Sequence, residues 1–181
     1  MRFVELPLAG AYELELDPKR DSRGYFVRTY DSELFLERGL QTLWIQENQS
    51  LSVTRGVVRG LHFQRGEHAE TKLVRVLQGS ILDVIVDLRK GSETFGEHAA
   101  VELSAENQKA LYIPRGFAHG FCTLDAPAII CYKVDAYYSP ESEGGLFWND
   151  PELGIEWPIS DPIMSEKDAR LPGLLELVPP L

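Results

Sequence analysis

The sequence holds little sulfur, an excess of acid over base, and no long apolar run, and each shortage excludes a class of protein. Two cysteines in 181 residues cannot supply the dense framework of a small secreted scaffold. Cys122 and Cys131 stand where they would face each other across a hairpin, but two free thiols in a cytoplasmic chain is the reading adopted here. Lysine and arginine number 18 against 28 aspartates and glutamates, a formal charge of −10. That charge repels nucleic acid and anionic membranes at long range, so neither is expected as a partner. It leaves room for a local basic pocket. No apolar stretch approaches the roughly 18 residues that cross a bilayer. The opening MRFVELPLAGAYELELD meets acidic side chains too early for a secretory signal, so a cytoplasmic location is expected. G-x-G-x-x-G, Walker and G-x-S-x-G motifs are missing, which leaves dinucleotide binding, NTP hydrolysis and serine-nucleophile chemistry unsupported.

What is present describes an ordinary globular chain: 44% hydrophobic and 25% charged residues, with a length that suits one domain over residues 1–181. Period-2 patterns dominate. In ILDVIVDLR, Leu82, Val84, Val86 and Leu88 point one way and Ile81, Asp83, Ile85 and Asp87 the other. TKLVRVL before it also alternates, and Gln78–Ser80 between them reads as a hairpin turn. Further strands are expected at Tyr12–Asp17, Tyr25–Tyr30, Leu43–Glu47, Val57–Phe63, His98–Leu103, Ala110–Ile113, Gly120–Leu124 and Ala128–Val134. Breakers at Asp21–Gly24, Arg65–His68, Lys90–Gly96, Pro114–Gly116 and Asp125–Pro127 separate them. Two segments look helical: Asp31–Arg38, with an N-capping Asp and Gly39 beyond, and the capping-box sequence Ser165–Asp168. Many short strands without alternating helices predict an all-β fold, an antiparallel double-sheet jelly roll with a few short helices.

Three clusters carry possible chemistry. Arg59 and His62 share a strand otherwise suited to the core, which admits a surface arginine beside a hydrogen-bonded core histidine or a working pair. Pro114–Phe121 is a turn delivering His119 into a strand, where it either caps the turn or faces a ligand. Asp83 and Asp87 are expected around Lys72 and Arg75, as cross-strand ion pairs on a solvated face or as groups awaiting a ligand. Jelly-roll metal sites use HxH, a following Glu, and a histidine after P-x-G. Only the last part is present, because Gln64 stands two residues beyond His62. No metal or other cofactor is therefore expected. Imidazole remains available as an acid or base near neutral pH.

Residues 21–26 (DSRGYF), 46–50 (QENQS), 58–64 (VRGLHFQ) and 72–76 (KLVRV) resemble the dTDP-4-dehydrorhamnose 3,5-epimerase family. So do 83–89 (DVIVDLR), 113–121 (IPRGFAHGF), 148–151 (WNDP) and 165–168 (SEKD), in family order across nearly the whole chain. The resemblance implies a metal-free cupin jelly roll, a homodimer, and a dTDP-4-keto-6-deoxysugar substrate inverted at C3 and C5. Both carbons flank the C4 ketone, so each carries an acidified proton that a base can remove and an acid replace. By the resemblance, His62 is the base, Asp168 its orienting carboxylate, Tyr132 the acid and Lys72 the group that stabilises the enolate oxygen. Arg23 and Arg59 would contact the diphosphate, while His119, Gln46, Asn48, Glu143 and Lys167 would make further substrate contacts. Phe26 and Tyr138 would pack on the thymine or sugar. Arg28 and Glu47 also fall at substrate-contact positions, where the family usually has glutamate and commonly aspartate; Thr71 replaces a small residue. A single-centre epimerase is the alternative within this class. A non-catalytic sugar-binding cupin and a metal-dependent cupin oxygenase are alternatives outside it.

Overall fold

A computed structural model describes residues 1–177. Its short strands are β1 (Arg2–Glu5), β2 (Tyr12–Glu15), β3 (Lys19–Asp21), β4 (Gly24–Phe26) and β11 (Glu143–Gly145). β5 (Gln46–Ser52), β6 (Val58–Gln64), β8 (His98–Ser104) and β9 (Lys109–Ile113) are of ordinary length. β7 (Lys72–Asp87) and β10 (Phe117–Val134) run for 16 and 18 residues. Among the described residues one antiparallel sheet runs β1-β2-β9-β7-β10-β6-β11, with β8 added to β7 and β5 to β10. β3 and β4 form a separate ribbon.

The long strands correct two expectations. Gln78–Ser80 is not a hairpin turn but lies inside β7, because β10 pairs with that strand on both sides of it. Gly79 is needed there for closeness: at φ 71° a Cβ would stand 2.6 Å from the Asp125 carbonyl oxygen. Asp125–Pro127 likewise bends β10 without ending it, through register shifts between Thr123 and Ile130. Turn-forming residues thus make bulges where the flanking pairing continues. The expected strand at Tyr25–Tyr30 stops at Phe26, and that at Leu43–Glu47 is displaced to β5. Cys122 and Cys131 both lie on β10 as free thiols rather than across a hairpin.

Burial explains how the sheet closes. Val74, Val76, Ile81 and Ile85 of β7 share one core cluster with Phe117, Phe121, Ala128 and Ile130 of β10. Each strand therefore contributes from both sides of its bend, and the sheet curls round as the double-layered jelly roll expected. Val84, Val86 and Leu88 bury the opposite face of β7 against Leu61, Phe63, Ala118 and Leu146. Both faces of β7 are dry over its second half, so Asp83 and Asp87, fully buried, need partners. They do not gather around Lys72 and Arg75 as expected, since an unbroken β7 keeps those residues at its far end. Asp87 instead accepts hydrogen bonds from Arg89, Ser92 and Thr94.

The helical signals were legible at their caps. Asp31 accepts from the Glu33 N–H at 3.2 Å at the start of α1 (Ser32–Leu36). The Asp168 N–H donates to Ser165 Oγ at 3.1 Å, opening a single 3-10 turn, Asp168–Arg170. Only half a capping box forms, because the Asp168 carboxylate is turned towards β6. No helix among the described residues is long and apolar enough to cross a membrane.

Candidate active site

The bend in β10 lets two strands share one of its edges. β6 pairs with the first half, setting His62 opposite His119, and β5 with the second, setting Asn48 opposite Tyr132. β6 and β10 approach closely at paired glycines. A Cβ on Gly120 would lie 2.7 Å from the Arg59 carbonyl oxygen, and one on Gly60 would lie 2.6 Å from Gly120 Cα. Where β5 and β6 diverge, a two-armed cleft opens. The larger arm, of 520 Å³, is lined by Arg59, His119, Lys167 and Asp168 among others. The smaller, of 390 Å³, is lined by Gln46, Asn48, Tyr138 and Glu143 among others. His62, Lys72 and Tyr132 line both arms and so stand at their junction.

His62 Nε2 lies 2.8 Å from Asp168 Oδ1, while Asp168 Oδ2 accepts the Gly60 N–H at 3.2 Å. Burial pushes the Asp168 carboxyl upward, but the hydrogen bonds from His62, Gly60 and Ser165 outweigh it and hold it below the ordinary carboxylate range. An ionised carboxylate only accepts, so Nε2 carries a ring proton, and it is Nδ1 that holds the lone pair whenever the ring is neutral. A neutral imidazole so fixed is a base with a defined tautomer. Tyr132 is pushed in the opposite sense: burial and the Glu70 charge raise its phenol above the usual value, which keeps it a proton donor. Lys72, on the first turn of pleat in β7, is nine-tenths buried and lies 3.1 Å from Glu70 Oε1.

His119 is held from beneath, its Nε2 hydrogen-bonded to Asp83 Oδ2 at 3.1 Å. Glu143 takes the Tyr138 hydroxyl at 2.9 Å and the Lys167 ammonium at 2.5 Å. Its carboxyl is pushed up by burial, yet those two hydrogen bonds leave it lowered on balance. Arg59 donates to the Leu51 carbonyl at 3.1 Å, so its guanidinium is tied to β5 at the mouth of the larger arm.

Four expected contacts lie elsewhere. Glu47 occupies the other face of β5, against Lys133 and Cys131, because alternate residues of a strand point oppositely. Arg23 is on the β3–β4 ribbon, fully extended into solvent and paired with Asp21. Phe26 and Arg28 line a separate 250 Å³ cavity, where Arg28 pairs with Asp31. Thus Arg23 and Arg59 do not meet within one chain.

Two residues of the site went unnoticed as such. Glu70 lies between the 3-10 turn Gly66–His68 and β7, outside any regular element; the signal is its position two residues before Lys72, on the same side of an extended chain. Gln64, noted only as a missing metal ligand, is a buried clasp between Ser139 and Tyr137 on one side and His68 on the other. No three His, Cys, Asp or Glu side chains among the described residues are grouped to hold a metal ion.

Jelly roll and cleft together define a cupin that gathers an oriented imidazole, a buried phenol and an ammonium around one space. Comparison with known proteins agrees. The family model described as dTDP-4-dehydrorhamnose 3,5-epimerase matches residues 5–176, and the chain belongs to that family. It is 52% identical over 165 residues to the dTDP-4-dehydrorhamnose 3,5-epimerase of Salmonella typhimurium, covering 89% of this chain and 90% of that one. A crystal structure of the Bacillus anthracis enzyme of that name, with TDP and PPi bound, superposes with a TM-score of 0.93 at 46% identity, over 96% and 99% of the two chains. The dTDP-4-dehydrorhamnose 3-epimerase of Streptomyces niveus is 38% identical, over 93% of this chain and 81% of that one.

Proposed function

We propose that the chain is an isomerase that inverts C3 and C5 of dTDP-4-dehydro-6-deoxy-D-glucose, giving dTDP-4-dehydro-L-rhamnose. The observation that carries the reading is the His62–Asp168 pair at the junction of the cleft, in company with Tyr132 and Lys72. His62 Nδ1 removes the proton α to the C4 ketone. The electron pair moves onto the C4 oxygen, where the Lys72 ammonium stabilises the enolate, a charge that exists only after deprotonation. Tyr132 returns a proton to the opposite face. Arg59 holds the diphosphate, and Gln46, Asn48, His119, Tyr138, Glu143 and Lys167 surround the sugar and nucleotide. The single-centre alternative is favoured by the Streptomyces niveus relative, but the 3,5-epimerases are the more similar in sequence.

The test is turnover of dTDP-4-keto-6-deoxyglucose in deuterated water. The wild type should incorporate deuterium at both carbons; uptake at one alone gives the single-centre reading. His62→Ala should abolish uptake at both. Tyr132→Phe should keep exchange while inversion falls by about 10²–10⁴-fold, and inversion of both centres at the wild-type rate would remove Tyr132 from the mechanism.

A homodimer belongs to the same reading. It gives a use to the β3–β4 ribbon, which is exposed along its length and presents Phe26 at 71% exposure. Arg23, Phe26 and Arg28 would then serve the cleft of a second copy. Mixing Arg23→Ala with His62→Ala protomers should regenerate activity in the mixed dimer, whereas a contribution within one chain would leave both sites defective. The domain reading, one unit over residues 1–181, rests on cores that share β7 and β10, with 178–181 outside the described residues. Two free cysteines support a cytoplasmic location.

A further inference from the structure

The side chain that contacts Lys72 belongs to a residue with no part in the proton transfers. Glu70 Oε1 stands 3.1 Å from Lys72 Nζ, and the two side chains are 15% and 10% exposed. Two residues apart on an extended chain, 70 and 72 lie on the same side, and the Thr71 N–H between them donates to Asp135 Oδ1 at 2.6 Å. The second carboxylate oxygen is also engaged. Gln64 Nε2 approaches Glu70 Oε2 at 3.4 Å and donates to the carbonyls of His68 at 3.0 Å and Tyr137 at 3.2 Å, while Gln64 Oε1 accepts the Ser139 N–H at 2.6 Å. Glu70 is therefore braced from behind by an amide that is itself held at three further points.

We propose that Glu70 is a positioning residue for Lys72, holding the ammonium at the cleft junction before the enolate forms. The proposal rests on the reading of Lys72 as the enolate stabiliser. A lysine side chain is flexible and rich in rotamers, and a stabiliser that must first be ordered loses that entropy from the transition state. Ammonium has three donors. One directed at Glu70 fixes the head group and leaves two for the oxygen on which charge develops.

The experiment measures kcat and KM for Glu70→Ala, Glu70→Gln, Lys72→Ala and the double variant Glu70→Ala/Lys72→Ala. Glu70→Ala should lower kcat about tenfold or more while KM changes little, because the contact it supports is realised only in the transition state. Glu70→Gln keeps an oxygen towards Nζ and should recover most of that loss. Added to Lys72→Ala, the Glu70→Ala change should cost nothing further, since its effect runs through the lysine. If Glu70→Ala does not fold, Glu70→Met carries the same test with a side chain of similar length. Wild-type kcat in Glu70→Ala beside an impaired Lys72→Ala would overturn the positioning role and leave the enolate reading standing. Multiplied losses in the double variant would overturn it too, by showing that Glu70 acts apart from Lys72. Full activity in Lys72→Ala would remove the enolate stabiliser itself, and the positioning role with it.

Discussion

Replacing Asp168 by asparagine should damage the enzyme more than deleting the side chain, and the reason lies in which atom faces which partner. One carboxylate oxygen accepts the Gly60 N–H and the other faces His62 Nε2. Gly60 offers only a donor, so an asparagine must turn its oxygen to Gly60 and its NH₂ to His62. Nε2 then has to accept, the ring proton moves to Nδ1, and the nitrogen facing the cleft can no longer take a proton. The wrong tautomer in a hydrolase triad costs about 10⁴-fold, and a loss of that order is expected for Asp168→Asn. Asp168→Ala removes a charge-assisted hydrogen bond of about 1.5–3 kcal/mol, or roughly 10- to 150-fold in rate, but leaves His62 free to adopt either tautomer. The assay is deuterium uptake at C3 and C5 under single-turnover conditions, since it reads proton removal apart from product release. Asp168→Asn as active as Asp168→Ala, or more so, would refute the tautomer argument.

Other expectations follow from packing and charge. Arg59→Lys keeps the charge but loses the fork tied to β5, and should weaken dTDP binding by about 1–3 kcal/mol; equal Kd values in calorimetry would dismiss the diphosphate assignment. Gly120→Ala would drive a methyl group to within 2.7 Å of the Arg59 carbonyl oxygen and should cost about 1–3 kcal/mol in urea unfolding; an unchanged midpoint would mean the strands do not approach so closely. Burial pushes Asp87 up, but hydrogen bonds from Arg89, Ser92 and Thr94 win and leave it far below the ordinary range. A lowered folded value means its contribution is fully present above the unfolded pKa of about 4 and is lost as pH falls towards the folded one. Asp87→Asn should therefore lower stability at pH 7 by roughly 3 kcal/mol and flatten the acid limb between about pH 4 and 2, and an unaltered limb would contradict this. Exhaustive chelation should leave turnover intact, and activity lost and then restored by Fe²⁺ or Mn²⁺ would instead indicate the cupin oxygenase alternative.

Local chemistry was enough for much of this protein. Alternation in ILDVIVDLR set which residues of β7 share a face, because side chains on a strand alternate whatever surrounds them. Asp31 announced the start of α1 because an N-cap acts on N–H groups only two or three residues away. The ordered motifs named the family, and that resemblance implies the roles proposed for His62, Lys72, Tyr132 and Asp168. What lay beyond local chemistry was every outcome that depends on a distant strand. Gly79 and Pro127 look like chain reversals in sequence, yet each is a bend in a strand whose partner continues past it. That single fact keeps Asp83 from Lys72, gives it to His119, and lets β5 and β6 share β10 so that a cleft opens between them. Gln64 acquires a purpose only there, joining Glu70 to Tyr137 and Ser139 from a segment that no sequence period connects. Arg23 and Phe26 show the same limit from the other side: the family resemblance assigns them to the substrate, while within one chain they lie on an exposed ribbon away from the cleft. A pattern fixes the direction of a side chain along its own strand, whereas its neighbours are set by which strands the packing of the core brings together.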